Sequence, residues 1–299
     1  MNNIKYSLYI LIGACSYGIL ASIVKLGLGA GFAVHELTSS QYLFGLILLI
    51  IALPFIKRTK ITLKQIGALM LTGTALSMTG ILYGLSLERN PASIAVVLLF
   101  QFTWIGIVLE SIYLKKMPSR LKIISALLLI IGTVFASNIV LGGFESIALD
   151  GLIYGFLSAI TFALFIFFSG KVATHVPSIQ RSVYITLGGL MILVSIFGTR
   201  VAATGIDFGG IWPYSLLLAF FGVILPIVLF SLGTPHIDSG LATIVGSAEL
   251  PAAVIAAMII LGEQITQAQV IGIMIILLGI CIPQFQMFKS HRKGIAPNN

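Results

Sequence analysis

Apolar runs of about 20 residues, the length that spans a hydrocarbon core as a helix, recur from residue 6 to residue 288 with short breaks between them. The bilayer offers backbone N–H and C=O groups no water, so runs of this kind satisfy their hydrogen bonds internally, as transmembrane helices. Composition agrees: 58% of residues are hydrophobic and 9% charged, against about 25% charged in a soluble domain. The first run starts just after Lys5, has no small-residue cleavage site and is followed at once by further spans. It reads as a retained helix and not as a removed signal peptide. Cys15 and Cys281 fall inside apolar runs, where a disulfide framework is implausible.

Glycine, proline and charge divide the chain into ten spans, predicted over 6–28, 37–56, 64–87, 91–114, 119–137, 149–172, 180–201, 211–232, 239–261 and 266–288. Basic residues sort between alternate connections. One side takes Lys5, then Lys57, Arg58, Lys60 and Lys64, then Lys115, Lys116, Arg120 and Lys122, then Lys171 and Arg181, and finally Lys289, Arg292 and Lys293. The other side takes only Arg89 and Arg200, together with Glu36, Glu88, Glu145, Asp150, Asp207 and Glu263. The positive-inside rule then puts both termini in the cytoplasm of a multi-pass protein of the inner or plasma membrane. The isoelectric point near 9.6 is accounted for by topology, and no nucleic-acid partner is expected.

A constant offset of 147 residues pairs Tyr83 with Phe230, Ala95 with Ala242, Leu114 with Leu261, Ser119 with Thr266, Ser125 with Gly272 and Gly132 with Gly279. Five helices per copy is an odd number, so the second copy is upside down relative to the first. The expected fold is all-α and polytopic: ten transmembrane helices as two inverted five-helix repeats, 1–142 and 143–299, the second ending in a short cytoplasmic tail. Inverted repeats place a binding site at mid-membrane and support alternating access.

The ending Ala248-Glu249-Leu250-Pro251, then Leu261-Gly262-Glu263-Gln264-Ile265-Thr266, Gly272 and Leu277-Leu278-Gly279 resembles the last two helices of an EamA-type domain of the drug/metabolite transporter superfamily. The first half carries a degraded version in Ala92-Ser93-Ile94-Ala95, Lys115-Lys116 and Ile131-Gly132. It departs from the pattern at Trp104, where the second half has Pro251, and at Lys116, where it has Glu263. The resemblance covers essentially the whole chain as two tandem domains. It implies a transporter, and mostly exporters of amino acids and other metabolites.

Glu249 is the one acidic residue predicted deep in the bilayer, where a charge costs at least a few kcal/mol and usually faces a cavity or a substrate. Its bland alternative is neutralisation at a helix contact. Pro251 removes a backbone donor and is expected to loosen the helix beside it, as in the broken helices of transporters. Thr243 and Ser247 lie four apart on one face with Gly246 and Glu249 alongside, a stripe that suits a cavity wall or close packing. On the equivalent helix Gln101 and Trp104 share a face, and the expectation is that they look across a central cavity at Glu249. Ser16 and Tyr17, with Gly18, Thr161 and Gln41, could add polar contacts, and Tyr83 is preferred among such residues because Phe230 lacks its hydroxyl. Lys25, with Glu249 and Pro251, is a candidate for coupling or gating; it could bind an anionic group, pair with Glu249, or snorkel to the interface. Glu110 is expected to be an interfacial charge loosely approached by Lys115 and Lys116. The stretch Gly27-Leu28-Gly29-Ala30-Gly31 could be a hinge or a plain connection. Gly80 with Gly84, and Gly151 with Gly155, form small-residue faces for packing within a monomer or between protomers of a homodimer.

Other classes fit poorly. His35, His175, His236 and His291 are scattered through connections and tails, so no helical zinc pair is offered. The aspartates lie at span ends, Ser247 has no buried histidine, and no phosphate-binding loop occurs. Neither a metal nor a cofactor is expected, and no selectivity-filter motif suggests a channel. A secondary carrier remains, in which Glu249 takes up protons, binds a substrate ammonium, or is structural in an uncoupled facilitator; an intramembrane enzyme is the distant alternative.

Overall fold

The computed structural model describes residues 2–137, 148–204 and 208–292. Glu145, Asp207, Lys293 and the expected junction at residues 142 and 143 lie outside them. Among the described residues there is no strand. The helices are α1 (Asn2–Gly29), α2 (Val34–Ala52), α3 (Leu63–Arg89), α4 (Ala92–Leu99), α5 (Phe102–Leu114), α6 (Arg120–Ala136), α7 (Leu149–Ser169), α8 (Ser178–Thr204), α9 (Phe208–Ala219), α10 (Leu225–Gly233), α11 (Ser239–Gly246), α12 (Glu249–Leu261) and α13 (Gln267–Arg292). Three pairs (α4 with α5, α9 with α10, α11 with α12) are single spans with a local break. Among the described residues nine stretches have the length and apolarity to cross a membrane. The tenth, α6, has 17 described residues, at the short end of the spanning range.

The 147-residue register extends to backbone detail. α4 and α11 have 8 residues each and α5 and α12 have 13 each. Each second segment ends in a left-handed residue, Lys115 at φ 54° and Gly262 at φ 70°. Glycine adopts that conformation freely and lysine against a steric penalty. Both breaks are tightened turns: Gln101 N–H bonds to Leu98 O and Thr103 N–H to Phe100 O, as Ala248 N–H bonds to Val245 O and Leu250 N–H to Ser247 O. The first copy breaks with no proline. Pro251, in the first turn of α12 where an N–H lacks an intrahelical partner anyway, therefore fits the break and does not cause it. The helix is interrupted beside Pro251, as expected, and the first copy shows that such a break does not require a proline.

The third break has a different origin. Phe220–Ile224 is a π turn, with Leu225 N–H reaching back to Phe220 O. Continuing that register would ask residue 226 to donate to Phe221 O, and residue 226 is proline. Ser16 Oγ on α1 supplies the missing hydrogen bond to Phe221 O at 2.6 Å.

Contacts between elements respect the alternation of the spans. On the face carrying most of the lysines and arginines, hereafter the basic face, Tyr6 stacks on His236 and Gln180 bonds to the backbone of Thr59. On the opposite face Lys25 meets Glu263, Arg89 meets Asp150, and Asn90 bonds to Ala148. The halves interlock through small residues: α6 crosses α13 where a Cβ on Gly272 would stand 2.6 Å from Gly132 O. Of the two predicted glycine pairs, Gly151 and Gly155 pack tightly against Asn90, Leu98 and Ser86. Gly80 and Gly84 face open space instead, so they serve no packing within the chain.

Candidate functional site

Helices α1 and α3 each turn one face away from lipid, and both faces change character partway along. On α3 the inward face is packed at Leu69, Leu76 and Ser77. It then opens at Gly80, which stands nine residues, two and a half turns, from lipid-exposed Leu71 and so on the other side of the helix. On α1 it is packed at Ile10, Ala14 and Tyr17. It opens at Ala21, again nine residues from an exposed apolar residue, Ile12. Ala21 and Gly80 both lie toward the end of their helices away from the basic face.

Glu249 sits at the level where the faces change. It is the first residue of the half-helix α12, where the positive end of the helix dipole favours negative charge. Gly18 of α1 lets α12 approach so closely that a Cβ there would lie 2.5 Å from Glu249 O. Oε2 of Glu249 is buried without a hydrogen-bond partner, and the carboxyl is near enough to interact electrostatically with Tyr17, Tyr83 and Cys15. Tyr17 Oη is buried and unpartnered too, whereas Ser77 has the Tyr42 hydroxyl beside it. Tyr42 is close to Tyr17 and Ser77, and its ring lies with Ser77 beside Gly189 of α8. Buried polar groups normally find partners, and those of Glu249 on α12 and Tyr17 on α1 lack them here.

An aromatic cluster lies below it, on the basic side. The Tyr17 ring is 6.1 Å from Phe162 and 6.2 Å from Phe230, Phe102 is 4.7 Å from Phe162, and Phe165 is 5.8 Å from Phe230. All four phenylalanines are buried. Phe230 thus belongs to the closed side, whereas its repeat partner Tyr83 is half-buried near the carboxylate.

The other sequence candidates are placed as follows. Thr243 is fully buried and donates to Thr103 O at 3.1 Å and Gly240 O at 2.9 Å, and Ser247 donates to Ile244 O at 2.6 Å. Their hydroxyls are spent on backbone carbonyls, Thr243 in the seam between α5 and α11. Ser16 serves the π turn. Gln101 donates to Val97 O and accepts from Trp104 Nε1, each at 2.8 Å, and the indole packs on Phe156. Trp104 lies on the stripe that continues to exposed Val108 and Ile112, so these contacts give no support to its facing Glu249. Lys25 is bound to Glu263 at 2.7 Å with both side chains about half exposed; it stands one turn beyond Ala21.

Two charges differ from expectation. Glu110 is buried, bonds to Lys122 at 2.7 Å and accepts from Gly240 N–H at 3.2 Å; Lys115 and Lys116 are not its partners. Arg181, read from sequence as a surface topology charge, is 1% exposed. Its guanidinium donates to Ser231 O at 2.8 Å and to Ser169 O, the carbonyl ends of α10 and α7, where helix dipoles favour a cation. Sequence reading also passed over Tyr42 and Ser77. The signal for Ser77 was its place three residues before Gly80 and seven before Gly84 on one helical face.

The EamA-like transporter family model matches residues 4–138 and again residues 149–283. A solved structure, titled only as the crystal structure of a protein, superposes with a TM-score of 0.74 at 15% sequence identity, covering 93% of this chain and 98% of its own; at that identity the likeness concerns the fold. A comparison with curated proteins found no match. Two family matches in tandem, on two copies of one broken-helix pattern, make this multi-pass membrane protein a member of the EamA-like transporter family.

Proposed function

We propose that the protein is a secondary active carrier of small metabolites of the amino-acid type, seated in the inner or plasma membrane with both termini cytoplasmic and working by alternating access around Glu249. The observation that carries this reading is the unpartnered Glu249 carboxylate oxygen at the start of a half-helix, above an aromatic cluster on the basic side. A small polar solute fits such a place, because it can supply the hydrogen bonds that Glu249 and Tyr17 lack. The aromatic cluster on the basic side supports a conformation closed toward the cytoplasm.

Export is the direction that the resemblance implies. Glu249 can serve it in two ways. A carboxylate in apolar surroundings is penalised in its charged form, so it can exchange a proton for substrate, or it can hold the ammonium group of the substrate directly. The tests differ from a growth phenotype: purified protein in liposomes, a panel of labelled amino acids and related amines, with and without an imposed pH gradient. Uptake or exchange above protein-free liposomes supports the carrier, and acceleration by the gradient supports proton coupling. No flux for any member of the panel in either orientation of the gradient counts against the reading.

A further inference from the structure

Two carboxylates from different halves of the chain share one lysine at the basic face. Lys122 on α6 bonds to Glu110 of α5 at 2.7 Å and to Asp238, just before α11, at 2.8 Å. The Lys122 and Glu110 side chains are only 17% and 8% exposed. Each acid also engages the start of α11: Glu110 accepts from Gly240 N–H, and Asp238 caps the helix through Leu241 N–H at 2.6 Å. α5 and α6 belong to the first repeat and α11 to the second, so the cluster spans the seam that must part if the basic face is to open.

The 147-residue register puts Ala257, Gln269 and Pro91 where Glu110, Lys122 and Asp238 would recur, so the opposite face has no copy. Two ion pairs there among the described residues, Lys25 with Glu263 and Arg89 with Asp150, are about half exposed, and exposed pairs contribute little. At the basic face the Asp238 side chain is 40% exposed, and the buried bond across the seam is that of the Glu110 carboxylate with Gly240 N–H; separating a buried charge from its donor is more costly. The two faces therefore carry unequal fasteners.

We propose that Lys122, with Glu110 and Asp238, is a positioning device of the carrier proposed above: it holds α11 against α5 and α6 and biases the empty protein toward opening at the opposite face. On opening, α11 carries Asp238 and Gly240 away while Lys122 keeps Glu110 within the first repeat. Water entering the seam hydrates the separated charges, so the cluster shifts an equilibrium and does not bar the motion.

Sided labelling of membrane-embedded protein without substrate tests this. With Cys15 and Cys281 replaced by alanine, single cysteines are introduced by Ile107→Cys, buried against Gly240, and by Gly84→Cys, facing open space. An impermeant maleimide is applied to one face at a time. Lys122→Met and Glu110→Gln, the latter keeping an oxygen for Gly240 N–H, are each expected to raise labelling at position 107 from the basic face about tenfold and to lower labelling at position 84 from the opposite face. Lys122→Arg, which keeps the cation, restores the original rates. Unchanged rates in both neutral variants overturn the proposal, and so do rates that rise on both faces together, the signature of simple loosening. Because no substrate is present, a reciprocal shift in a protein that carries none of the metabolites tested keeps the fastener while removing the proposed function.

Discussion

Phe102 and Glu249 stand at the same place in two copies of one broken helix, each opening a 13-residue second segment, 147 residues apart. One is sealed in an aromatic cluster on the basic side of the site; the other leaves a carboxylate oxygen without a partner. The backbone is repeated and the chemistry is not. A carrier built on such a frame has one polar pole, and the predictions below test which residues define it.

Pro251→Ala is expected to leave the bend at residues 247 and 248 in place, since α4 and α5 bend identically with Trp104 at the corresponding position. Thermal stability in detergent should change by less than about 1 kcal/mol, the ordinary scale for a substitution that removes no bond. A structure of the variant in which α11 and α12 form one straight helix would show that the proline imposes the break after all.

Arg181→Met should destabilise the protein by about 2–3 kcal/mol, the worth of hydrogen bonds to a charged group, because the carbonyl ends of α7 and α10 lose their shared donor. Arg181→Lys should recover only part of this, since an ammonium lacks the planar fork that reaches two carbonyls at once. Thermal unfolding of the three proteins decides it; a lysine variant as stable as the original would mean that charge alone matters there.

Orientation is tested independently of any substrate. Cysteines replacing Lys60 and Lys116 should react with an impermeant reagent only from the cytoplasmic side, and one replacing Glu88 only from outside. Reaction of the position-116 cysteine from outside would break the ten-span alternation on which the inverted repeat rests.

Much of the fold was legible in the sequence because its signals are long: hydrophobic runs fix the helices, and the 147-residue register fixes the repeat. The site was legible only where a residue was costly in lipid. Glu249 stood out for that reason, and Tyr83 did so by contrast with Phe230. Hydroxyls misled, because Thr243 and Ser247 close bonds to backbone carbonyls within reach and need no cavity. Arg181 and Glu110 misled in another way: a charge near a span end is ordinary at the interface, and only tertiary packing shows that α7, α10 and α11 fold over them. The break at Phe100 was invisible because no proline or glycine announces it.

The decisive variant is Glu249→Gln, which keeps the shape and hydrogen-bonding capacity of the side chain but fixes it in a neutral form. If Glu249 exchanges protons, exchange of substrate across the membrane should survive, because the amide mimics the protonated acid, while accumulation driven by a pH gradient disappears. If it holds a substrate ammonium instead, binding of cationic and zwitterionic compounds should weaken by about 1.5–3 kcal/mol, the contribution of a hydrogen bond to a charged group, and the gradient response should be unaffected in kind. Tyr83→Phe separates a hydroxyl that touches the ligand from one that merely fills space: loss of affinity without loss of stability places it in the site. Counterflow and gradient-driven uptake, measured on one liposome preparation, distinguish these outcomes. Full affinity together with a full gradient response in Glu249→Gln would sink both roles and leave Glu249 as a packing residue at the start of α12.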